Sequence, residues 1–414
     1  MKLHWKILIG MAAGVVVGLI INESSSVPAV IKTPFSFLFG PVIGPLGQIF
    51  IKLLKMLIVP LIMASMITGV ARVGDIRKLG GLGGRTFVFY IMTTFAAVFV
   101  GLILVNLLRP GVGAPEIGGD VPDVVRTHVT IGSILLNMIP SNPVKAMAEM
   151  QILPLIVFSL LFGAVLTTMG ERGKPLTSFF ESLNEAMMKL TDWVIQLAPV
   201  GVFALLAAVV AETGPGIFAN LGKYMATVVL GLAVHALVTL PLLLRVLGGV
   251  NPRKYFEKVA PALTTSFSTA SSSATLPLTI DCVERRAKIA PRVSSFVLPL
   301  GATINMDGTA LYESVAAVFI AQVYGIDLSI GQQVLIFLTA TLAAIGAAGI
   351  PSAGLVTMAI VLNAVGLPLE GIGMILAVDR ILDMCRTSVN VWGDTVGCAV
   401  VARLMKEKIP AEIR

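Results

Sequence analysis

Long runs of apolar residues, separated by short polar segments, extend over the whole chain. The first run is Ile7–Ile21, the second extends from about Phe35 to Val70, and a third covers about Thr86–Leu108. Later runs cover about Trp193–Val210 and Tyr224–Leu247. Runs of about 20 apolar residues are typical of helices that cross a bilayer. The pattern therefore predicts an all-α polytopic membrane protein.

The composition supports this class and excludes others. Of the 414 residues, 56% are apolar and only 13% are charged, whereas soluble proteins average about 25% charged residues. The net charge of +7 does not indicate a nucleic-acid partner, because no basic patch with interleaved aromatic residues is present. The three cysteines form no CxxC pair and the three histidines are scattered, so neither a structural disulfide nor a zinc site is expected.

Basic residues set the expected orientation of the spans. Lys2 and Lys6 precede the first run, and Arg403 and Lys406 follow the last one. Lys and Arg collect on the cytoplasmic side of membrane proteins, so both termini are predicted to be cytoplasmic. The first run has no convincing cleavage motif, which favours a retained helix over a signal peptide.

Two apolar segments are interrupted in a way that simple spans are not. Val259–Val283 has basic residues on both sides, and its middle, Thr264–Pro277, is rich in Ser and Thr and contains a helix breaker. A second apolar segment is interrupted at Gly346–Gly354. Each is predicted to be a re-entrant hairpin, which is tolerated at membrane depth only inside protein or beside water. Hairpins that enter from opposite faces indicate a transporter built from inverted repeats with a site near the midplane.

The last apolar segment carries a polar stripe. Counted from Asp379, polar residues recur at offsets of 4, 7, 11 and 15 and therefore share one helix face. An ionisable residue at a helix centre costs roughly 2.5–3.5 kcal/mol on insertion scales, so this face must line a cavity or form pairs. The stripe consists of Asp379, Asp383, Arg386, Asn390 and Asp394, with Thr387 beside it.

This stripe has two interpretations, a buried salt-bridge network or a ligand-binding site, and the number of charges favours the second without excluding the first. A buried salt-bridge network would also explain it, but the four aspartates, including Asp307, outnumber the arginines Arg386 and Arg380. Bound cations and a zwitterionic ligand would balance the excess. Arg386 suits a carboxylate and Asp383 an ammonium group, which points to an acidic amino acid.

A second motif, GATINMDGTALYES, interrupts another apolar helix. Gly301 and Gly308 bracket Asn305 and Asp307, and freed carbonyls together with Asn and Asp oxygens suit a hard cation such as Na⁺. A simple kink with a hydrogen-bonded aspartate remains the alternative. Glu313 is also expected to lie within the membrane, where the simplest interpretation is a carboxylic acid that burial keeps neutral. Tyr90, Thr93 and Thr94 share one face of an earlier helix and, taken alone, would be ordinary hydrogen-bonded residues.

Taken together, these motifs resemble the glutamate/aspartate transporter family, the dicarboxylate/amino acid:cation symporters. The matching pieces are SSSATLP at Ser271–Pro277, NMDGT at Asn305–Thr309, AAGIPSAG at Ala347–Gly354 and LDMCRTSVNVWGD at Leu382–Asp394. Four motifs in the same order make the resemblance specific.

The resemblance implies an architecture of eight transmembrane helices plus two re-entrant helical hairpins, in a homotrimer in the cell membrane. Each protomer would combine a static scaffold with a transport domain that moves like an elevator. The scaffold would comprise residues 1–76 and 110–221, and the transport domain residues 77–109 and 222–414. Within the latter, hairpin 1 would cover about 255–290, hairpin 2 about 332–368 and the last helix about 371–406.

The family also implies roles for individual residues. Arg386 would bind the side-chain carboxylate of the substrate, and Asp383 and Thr387 its amino group. The site would be completed by Asn390, Thr309, Ser272, Ile350 and Gly354.

Three sodium sites are implied in the same way, and main-chain oxygens serve the third. Their members would be Gly301, Asn305, Asn390 and Asp394 for one ion; Tyr90, Thr93, Thr94, Asn305 and Asp307 for another; and Thr303, Ala344, Ile345 and Ala347 for a third.

The chain departs from the family at two places. Ala270 and Met384 stand where archaeal and animal members, respectively, carry a second arginine, and Arg380 is the candidate substitute. Glu313 matches the glutamate that animal members use for proton coupling, so proton co-transport is predicted.

Competing functions stay open at this stage. They are a proton-driven carrier of dicarboxylates or amino acids, an ion channel, for which no filter sequence is present, and a membrane enzyme, for which no catalytic motif is present. The preference for aspartate or glutamate, the ion stoichiometry and any exchange of K⁺ are not determined by these residues.

Overall fold

The computed structural model describes residues 3–22, 42–73, 81–115, 132, 136–345 and 353–414. Within these ranges every regular element is helical, so the predicted all-α class is confirmed. The α-helices are α1 (Leu3–Ile21), α2 (Gly44–Val73), α3 (Gly81–Leu108), α4 (Pro143–Ala148), α5 (Ile152–Thr168), α6 (Lys174–Gln196), α7 (Ala198–Thr213), α8 (Ile217–Val234), α9 (Leu240–Val246), α10 (Pro252–Thr269), α11 (Ser272–Asp281), α12 (Pro291–Ile304), α13 (Asp307–Val323), α14 (Ile330–Ile345), α15 (Ala353–Ala364) and α16 (Ile372–Leu404).

Three stretches of the described residues are long and apolar enough to cross a membrane. They are Gly44–Ala71, Gly81–Leu108 and Ala198–Val246. The last covers 49 residues and runs from α7 through α8 to α9. Helix α16 is 33 residues long but falls outside this group, because its polar stripe lowers its hydropathy.

Several boundaries differ from the sequence prediction, among them the start of the third span, which is Gly81 and not about Thr86. The fifth span begins at Ala198, and Trp193 belongs instead to α6. Proline is favoured in the first turn of a helix, and Pro199 in the first turn of α7 explains why a new helix starts there. The sixth span begins earlier, at Ile217, and a π-helical turn at His235–Thr239 separates α8 from α9.

Helices α1, α2, α5, α6 and α7 form one packed group. Helix α1 packs along α7, while α2 contacts α5, α6 and α7. The α1–α7 contact is close because Gly10, Gly14 and Gly18 face it. A Cβ atom on Gly14 would lie 2.6 Å from the carbonyl oxygen of Phe203. Small residues spaced four apart commonly allow such approaches between membrane helices.

A second packed group surrounds α16. Helices α10, α12, α13, α8 and α3 all contact α16, and α13 also packs on α3. The two groups meet where α7 packs on α16 and where α15 packs on α2. The polar residues singled out from the sequence lie mainly in this second group.

The first interrupted segment is a helical hairpin whose turn lies within the predicted segment Thr264–Pro277. The chain reverses at Ala270, which has a left-handed φ of 50°, and at the helix cap Ser271. The Ser271 side chain accepts a hydrogen bond from the Ala274 amide at 3.2 Å. Pro277, the expected breaker, lies inside α11, and Ser271 ends the first arm because its hydroxyl caps the second.

The second interrupted segment consists of α14 and α15, which pack against each other. Helix α14 ends at Ile345 and α15 begins at Ala353, in agreement with the predicted break at Gly346–Gly354. Residues 346–352 lie outside the described ranges.

The chain end lies against the base of the first hairpin. The Asn251 amide donates to the carbonyl oxygen of Ile413 at 2.7 Å, and Lys288 Nζ lies 2.6 Å from Glu412 Oε1. This hydrogen bond from Lys288 lowers the pKa of Glu412.

Replacing Gly14 by leucine tests the α1–α7 contact. The new side chain would overlap the backbone of Phe203, and overpacking of this kind costs about 1–3 kcal/mol. We expect a lower melting temperature in detergent for Gly14→Leu. Gly222→Leu is the control, because a Cβ atom on Gly222 meets nothing within 4 Å. Equal melting temperatures for the two variants would contradict the packing described.

Candidate functional site

A break between α12 and α13 lies at the centre of the polar region. Helix α12 ends at Ile304, and Asn305 is extended with φ −86° and ψ 93° before α13 begins at Asp307. The break is packed tightly against α16, since a Cβ atom on Gly308 would lie 2.6 Å from the carbonyl oxygen of Arg386. The glycine therefore allows the broken helix to approach α16 closely.

Asp307 is buried at the start of α13 and is surrounded by hydrogen-bond donors. Thr94 Oγ1 donates to Asp307 Oδ1 at 2.7 Å, and Thr93 Oγ1 lies 3.2 Å from the same atom. Thr93 Oγ1 also lies 3.4 Å from Asn305 Oδ1. On the other side, His235 Nε2 lies 3.1 Å from Asp307 Oδ2. We call Thr93, Thr94, Asn305, Asp307 and His235 the Asp307 cluster.

Asp394 forms a second buried cluster on the other side of Asn305. Asn305 Nδ2 donates to Asp394 Oδ1 at 2.9 Å and to the carbonyl oxygen of Asn390 at 3.2 Å. A Cβ atom on Gly301 would lie 2.5 Å from both Asp394 Oδ1 and the Tyr90 hydroxyl. Tyr90 itself donates to the carbonyl oxygen of Val297 at 2.9 Å. Gly301, Asn305, Asn390 and Asp394 thus share one small volume, with Tyr90 beside it.

Asn390 links this region to the start of α13. Its Oδ1 accepts from the Gly308 amide at 2.7 Å, and its Nδ2 lies 3.3 Å from Thr309 Oγ1. The structure therefore brings Asn390 and Thr309 together, as predicted for neighbours in one site. Thr387 is buried one turn earlier on α16.

Arg386 is a fully buried cation held by two aspartates. Its Nη2 lies 2.9 Å from Asp383 Oδ1 and its Nη1 lies 3.1 Å from Asp379 Oδ1. The guanidinium carbon is 4.3 Å from the centre of the Tyr312 ring, within the range of a cation–π contact. Arg380 lies at the edge, with Nη1 3.5 Å from Asp383 Oδ2 and a side chain that is 30% exposed.

The second hairpin lies against this arginine, and the first hairpin packs on the helix that carries it. A Cβ atom on Gly354, near the start of α15, would lie 2.7 Å from Arg386 Nη2. Ser272 is buried at the start of α11, which packs on α16. Ile350 lies outside the described residues.

The residues of the third predicted cation site are described only in part. Thr303 lies near the end of α12, while Ala344 and Ile345 end α14. These two helices contact each other. Ala347 lies outside the described residues.

Glu313 is buried in the middle of α13, away from the break. One carboxylate oxygen accepts a hydrogen bond from Thr357 Oγ1 on α15. The other, Oε2, has no hydrogen-bond partner among the described residues. A buried carboxyl group in this situation is either protonated or costly to keep charged. The contact connects Glu313 to the second hairpin.

Sequence reasoning missed two residues of this network. His235 follows an apolar helix with no polar periodicity, and it lies beside Asp307 at the start of the π-helical turn. Tyr312 donates to Asp379 Oδ1 at 2.7 Å. Its position directly before Glu313 in a polar motif was the only available signal.

The oxygen atoms of the Asp307 and Asp394 clusters are suited to binding hard cations such as Na⁺. No group of three His, Cys, Asp or Glu side chains that could hold a metal ion occurs among the described residues. The Asp307 cluster instead offers hydroxyl and amide oxygens with one carboxylate, while the carboxylate of Asp394 accepts a hydrogen bond from the amide nitrogen of Asn305. Oxygen ligands of this kind suit hard cations, so the residues present fit the predicted Na⁺.

Comparison with known proteins assigns the chain to a family. The model of the sodium:dicarboxylate symporter family matches residues 3–404. The chain belongs to this family, whose members are transporters and not enzymes.

Several curated relatives align over nearly the whole chain. A putative sodium-dependent excitatory amino acid transporter, glt-4, of Caenorhabditis elegans is 43% identical over 97% of this chain and 89% of its own length. Excitatory amino acid transporter 3 is 41% identical in Mus musculus, over 98% of this chain and 86% of the relative. The protein of the same name in Homo sapiens is 40% identical, over 99% of this chain and 87% of the relative. The resemblance inferred from the four motifs is confirmed.

Replacing His235 tests whether it orients Asp307 for a cation. His235→Leu removes the contact to Asp307 Oδ2, and loss of such supporting contacts typically weakens metal affinity about 10–100-fold. We expect a rise of that size in the sodium concentration for half-maximal uptake, with a smaller rise in His235→Gln, which keeps an N–H donor.

Ser159→Ala is the matched control, because it removes a buried hydrogen bond within α5. A sodium requirement that is equal in His235→Leu and Ser159→Ala would contradict a role for His235 at the cation site.

Proposed function

We propose that this protein is a sodium-coupled symporter of acidic amino acids, L-aspartate or L-glutamate. The observation that carries the proposal is Arg386, a buried cation beside two aspartates, at the edge of a region with two oxygen-rich clusters. The printed names of its relatives, excitatory amino acid transporters that include a putative sodium-dependent one, support the same substrate class and coupling ion.

Substrate binding would exchange partners around Arg386. The side-chain carboxylate of the amino acid would take the place of Asp383 at the guanidinium, because a planar guanidinium suits a bidentate carboxylate. Asp383, released from Arg386, would accept the substrate ammonium group together with Thr387. Asn390, Thr309, Ser272, Ile350 and Gly354 would complete the enclosure.

Cations would neutralise Asp307 and Asp394, the two buried aspartates that Arg386 does not contact. One would be held by Gly301, Asn305, Asn390 and Asp394, and another by Tyr90, Thr93, Thr94, Asn305 and Asp307. The third would bind main-chain oxygens of Thr303, Ala344, Ile345 and Ala347. Bound Na⁺ supplies positive charge in a buried region, and it thereby lowers the cost of closing the site around an anionic substrate. Asn305, shared by the first two sites, would couple them.

The packing supports a division into two domains. The scaffold, residues 1–76 and 110–221, contains α1, α2 and α5–α7, which pack on one another. The transport domain, residues 77–109 and 222–414, contains α3 and α9–α16 with most of α8. We propose that it moves past the scaffold like an elevator, and that three copies of the scaffold associate as a homotrimer.

The proposed topology is that of a multi-pass protein of the cell membrane. It comprises eight transmembrane helices and two re-entrant hairpins, α10–α11 and α14–α15, arranged as inverted repeats. Both termini would lie in the cytoplasm, where the basic residues of the loops collect.

Uptake of labelled L-aspartate into proteoliposomes tests the proposal. An inward sodium gradient should drive accumulation of unmodified substrate, whereas a matched choline gradient should not. Uptake that follows a proton gradient without sodium would favour the proton-driven carrier instead. A conductance without accumulation would favour a channel.

Arg386→Lys tests the substrate carboxylate site. Lysine keeps the charge but loses the planar fork, so we expect L-aspartate affinity to fall at least about 100-fold. Arg172→Lys, an exposed change in a loop, is the control. Retained affinity in Arg386→Lys would rule out the proposed exchange of partners.

Arg380→Ala tests whether this arginine substitutes for the family's second arginine. Arg380 contacts Asp383 at 3.5 Å and is partly exposed, and ion pairs of this kind contribute at most about 1 kcal/mol. We expect the apparent affinity for L-aspartate to fall by about two- to fivefold, with sodium dependence retained. An unchanged affinity would show that Arg380 plays no part.

Glu313→Gln tests proton coupling. A pH that is lower outside the vesicles than inside should speed sodium-driven uptake by the wild type, because Glu313 would carry the proton inward. The variant should lose this effect and keep its sodium dependence. Glu212→Gln, a change to an exposed carboxylate, should behave as the wild type does. The same pH dependence in Glu313→Gln and the wild type would exclude Glu313 as the carrier.

K⁺ exchange is tested in the same vesicles by comparing uptake with K⁺ inside the vesicles and uptake with choline inside them.

A further inference from the structure

A narrow apolar crevice lies on the far side of α16 from the break, between three elements. Its walls come from the π-helical turn at His235–Thr239 with the start of α9, from α10 and from the middle of α16. Its volume is about 310 Å³, within the range of cavities that hold small ligands. The lining is mostly apolar and includes Leu237, Pro241, Phe256 and Trp392.

The walls of the crevice are connected by contacts between the residues that line it. Trp392 Nε1 donates to the carbonyl oxygen of Ala236 at 3.0 Å, in the π-helical turn. The ring of Phe256 packs edge-on against Trp392, with centroids 5.8 Å apart. Ser388 Oγ donates to the carbonyl oxygen of Leu263 at 3.2 Å. These contacts join all three walls of the crevice.

The surface around the crevice is apolar and exposed. Leu237 is 73% exposed, Val238 58% and Phe256 47%. Leu237 and Val238 belong to the long apolar stretch Ala198–Val246. In a membrane this surface would face hydrocarbon chains, so the natural occupant of the crevice is itself a hydrocarbon chain.

One end of the crevice is marked by a cation. Arg253 lines the crevice and lies seven residues beyond Val246, the end of the apolar stretch. Its side chain is 93% exposed and contacts only Glu257 among the described ion pairs, at 3.9 Å. Along the sequence from Arg245 to Lys258 the chain carries four basic residues and one acidic residue, and Lys254 of this group also donates to the carbonyl oxygen of Arg414 at 3.2 Å. This end is therefore complementary to an anionic headgroup.

We propose that the crevice binds an acyl chain of an anionic phospholipid whose phosphate group pairs with Arg253. A zwitterionic lipid would fill the apolar part equally well, but it would bring no net negative charge to this basic end. The bound lipid would bridge α10, the first arm of hairpin 1, to α9 and α16. The proposal does not depend on the transported substrate.

Fluorescence quenching of Trp392 tests the proposal directly. The chain has three tryptophans, so Trp5→Phe and Trp193→Phe leave Trp392 as the only one. The full-length protein is reconstituted in phosphatidylcholine vesicles with increasing fractions of brominated phosphatidylglycerol or brominated phosphatidylcholine. We expect phosphatidylglycerol to quench at about fivefold lower mole fraction, the preference expected for one basic contact.

Arg253→Gln in this background should abolish the preference and leave the quenching by phosphatidylcholine unchanged. Arg285→Gln is the matched control, since Arg285 is 84% exposed and also pairs with an acid four residues away. It should keep the preference.

Three results would overturn the proposal. No quenching by either lipid would mean that the crevice is closed to lipid or filled by protein. Equal quenching by both lipids would mean that it takes ordinary bilayer lipid. A preference that survives Arg253→Gln would mean that the headgroup binds elsewhere.

Discussion

The burial of several carboxylates with too few cations is the constraint on which the rest of the structure depends. Asp307, Asp379, Asp383 and Asp394 are all at most 4% exposed, and Arg386 is the cation buried among them. Arg386 compensates Asp379 and Asp383 by direct contact. Asp307 and Asp394 receive hydrogen bonds from hydroxyl, amide and imidazole groups instead. Such an arrangement is stable only with further positive charge or protons, so it is suited to binding cations and releasing them.

The local backbone serves this arrangement. The break at Asn305 and Met306 brings one amide side chain between two aspartates, and Gly301 and Gly308 remove the side chains that would block the approach of α16. The start of α15 places Gly354 against Arg386, and the start of α11 holds the buried Ser272. Thr357 of the second hairpin also donates a hydrogen bond to Glu313. A movement of that hairpin would therefore alter the surroundings of both Arg386 and Glu313.

Much of this could be predicted from the sequence, because an apolar background makes polar residues informative. The spacing of Asp379, Asp383, Arg386, Asn390 and Asp394 was enough to predict a shared face, and all five are buried on α16. The interruption between the two glycines was predicted in the same way.

Other features could not be predicted, for physical reasons. The turn of the first hairpin lies inside the predicted segment Thr264–Pro277, but its capping residue, Ser271, is one of several neighbouring Ser and Thr residues that the sequence alone does not distinguish. His235 lies beside Asp307, but its neighbours along the chain are apolar and give no pattern that would indicate this contact. The roles assigned to individual site residues, the domain division and the elevator movement remain predictions.

Equilibrium binding of L-aspartate to the purified protein at varied sodium concentrations tests the central claim most directly. If bound Na⁺ balances the buried aspartates, the logarithm of the Kd should fall linearly with the logarithm of the sodium concentration. The slope counts the coupled ions, and Asp394→Asn should reduce its magnitude by about one. Aspartate binding that is independent of sodium, or a slope unchanged in Asp394→Asn, would contradict the account.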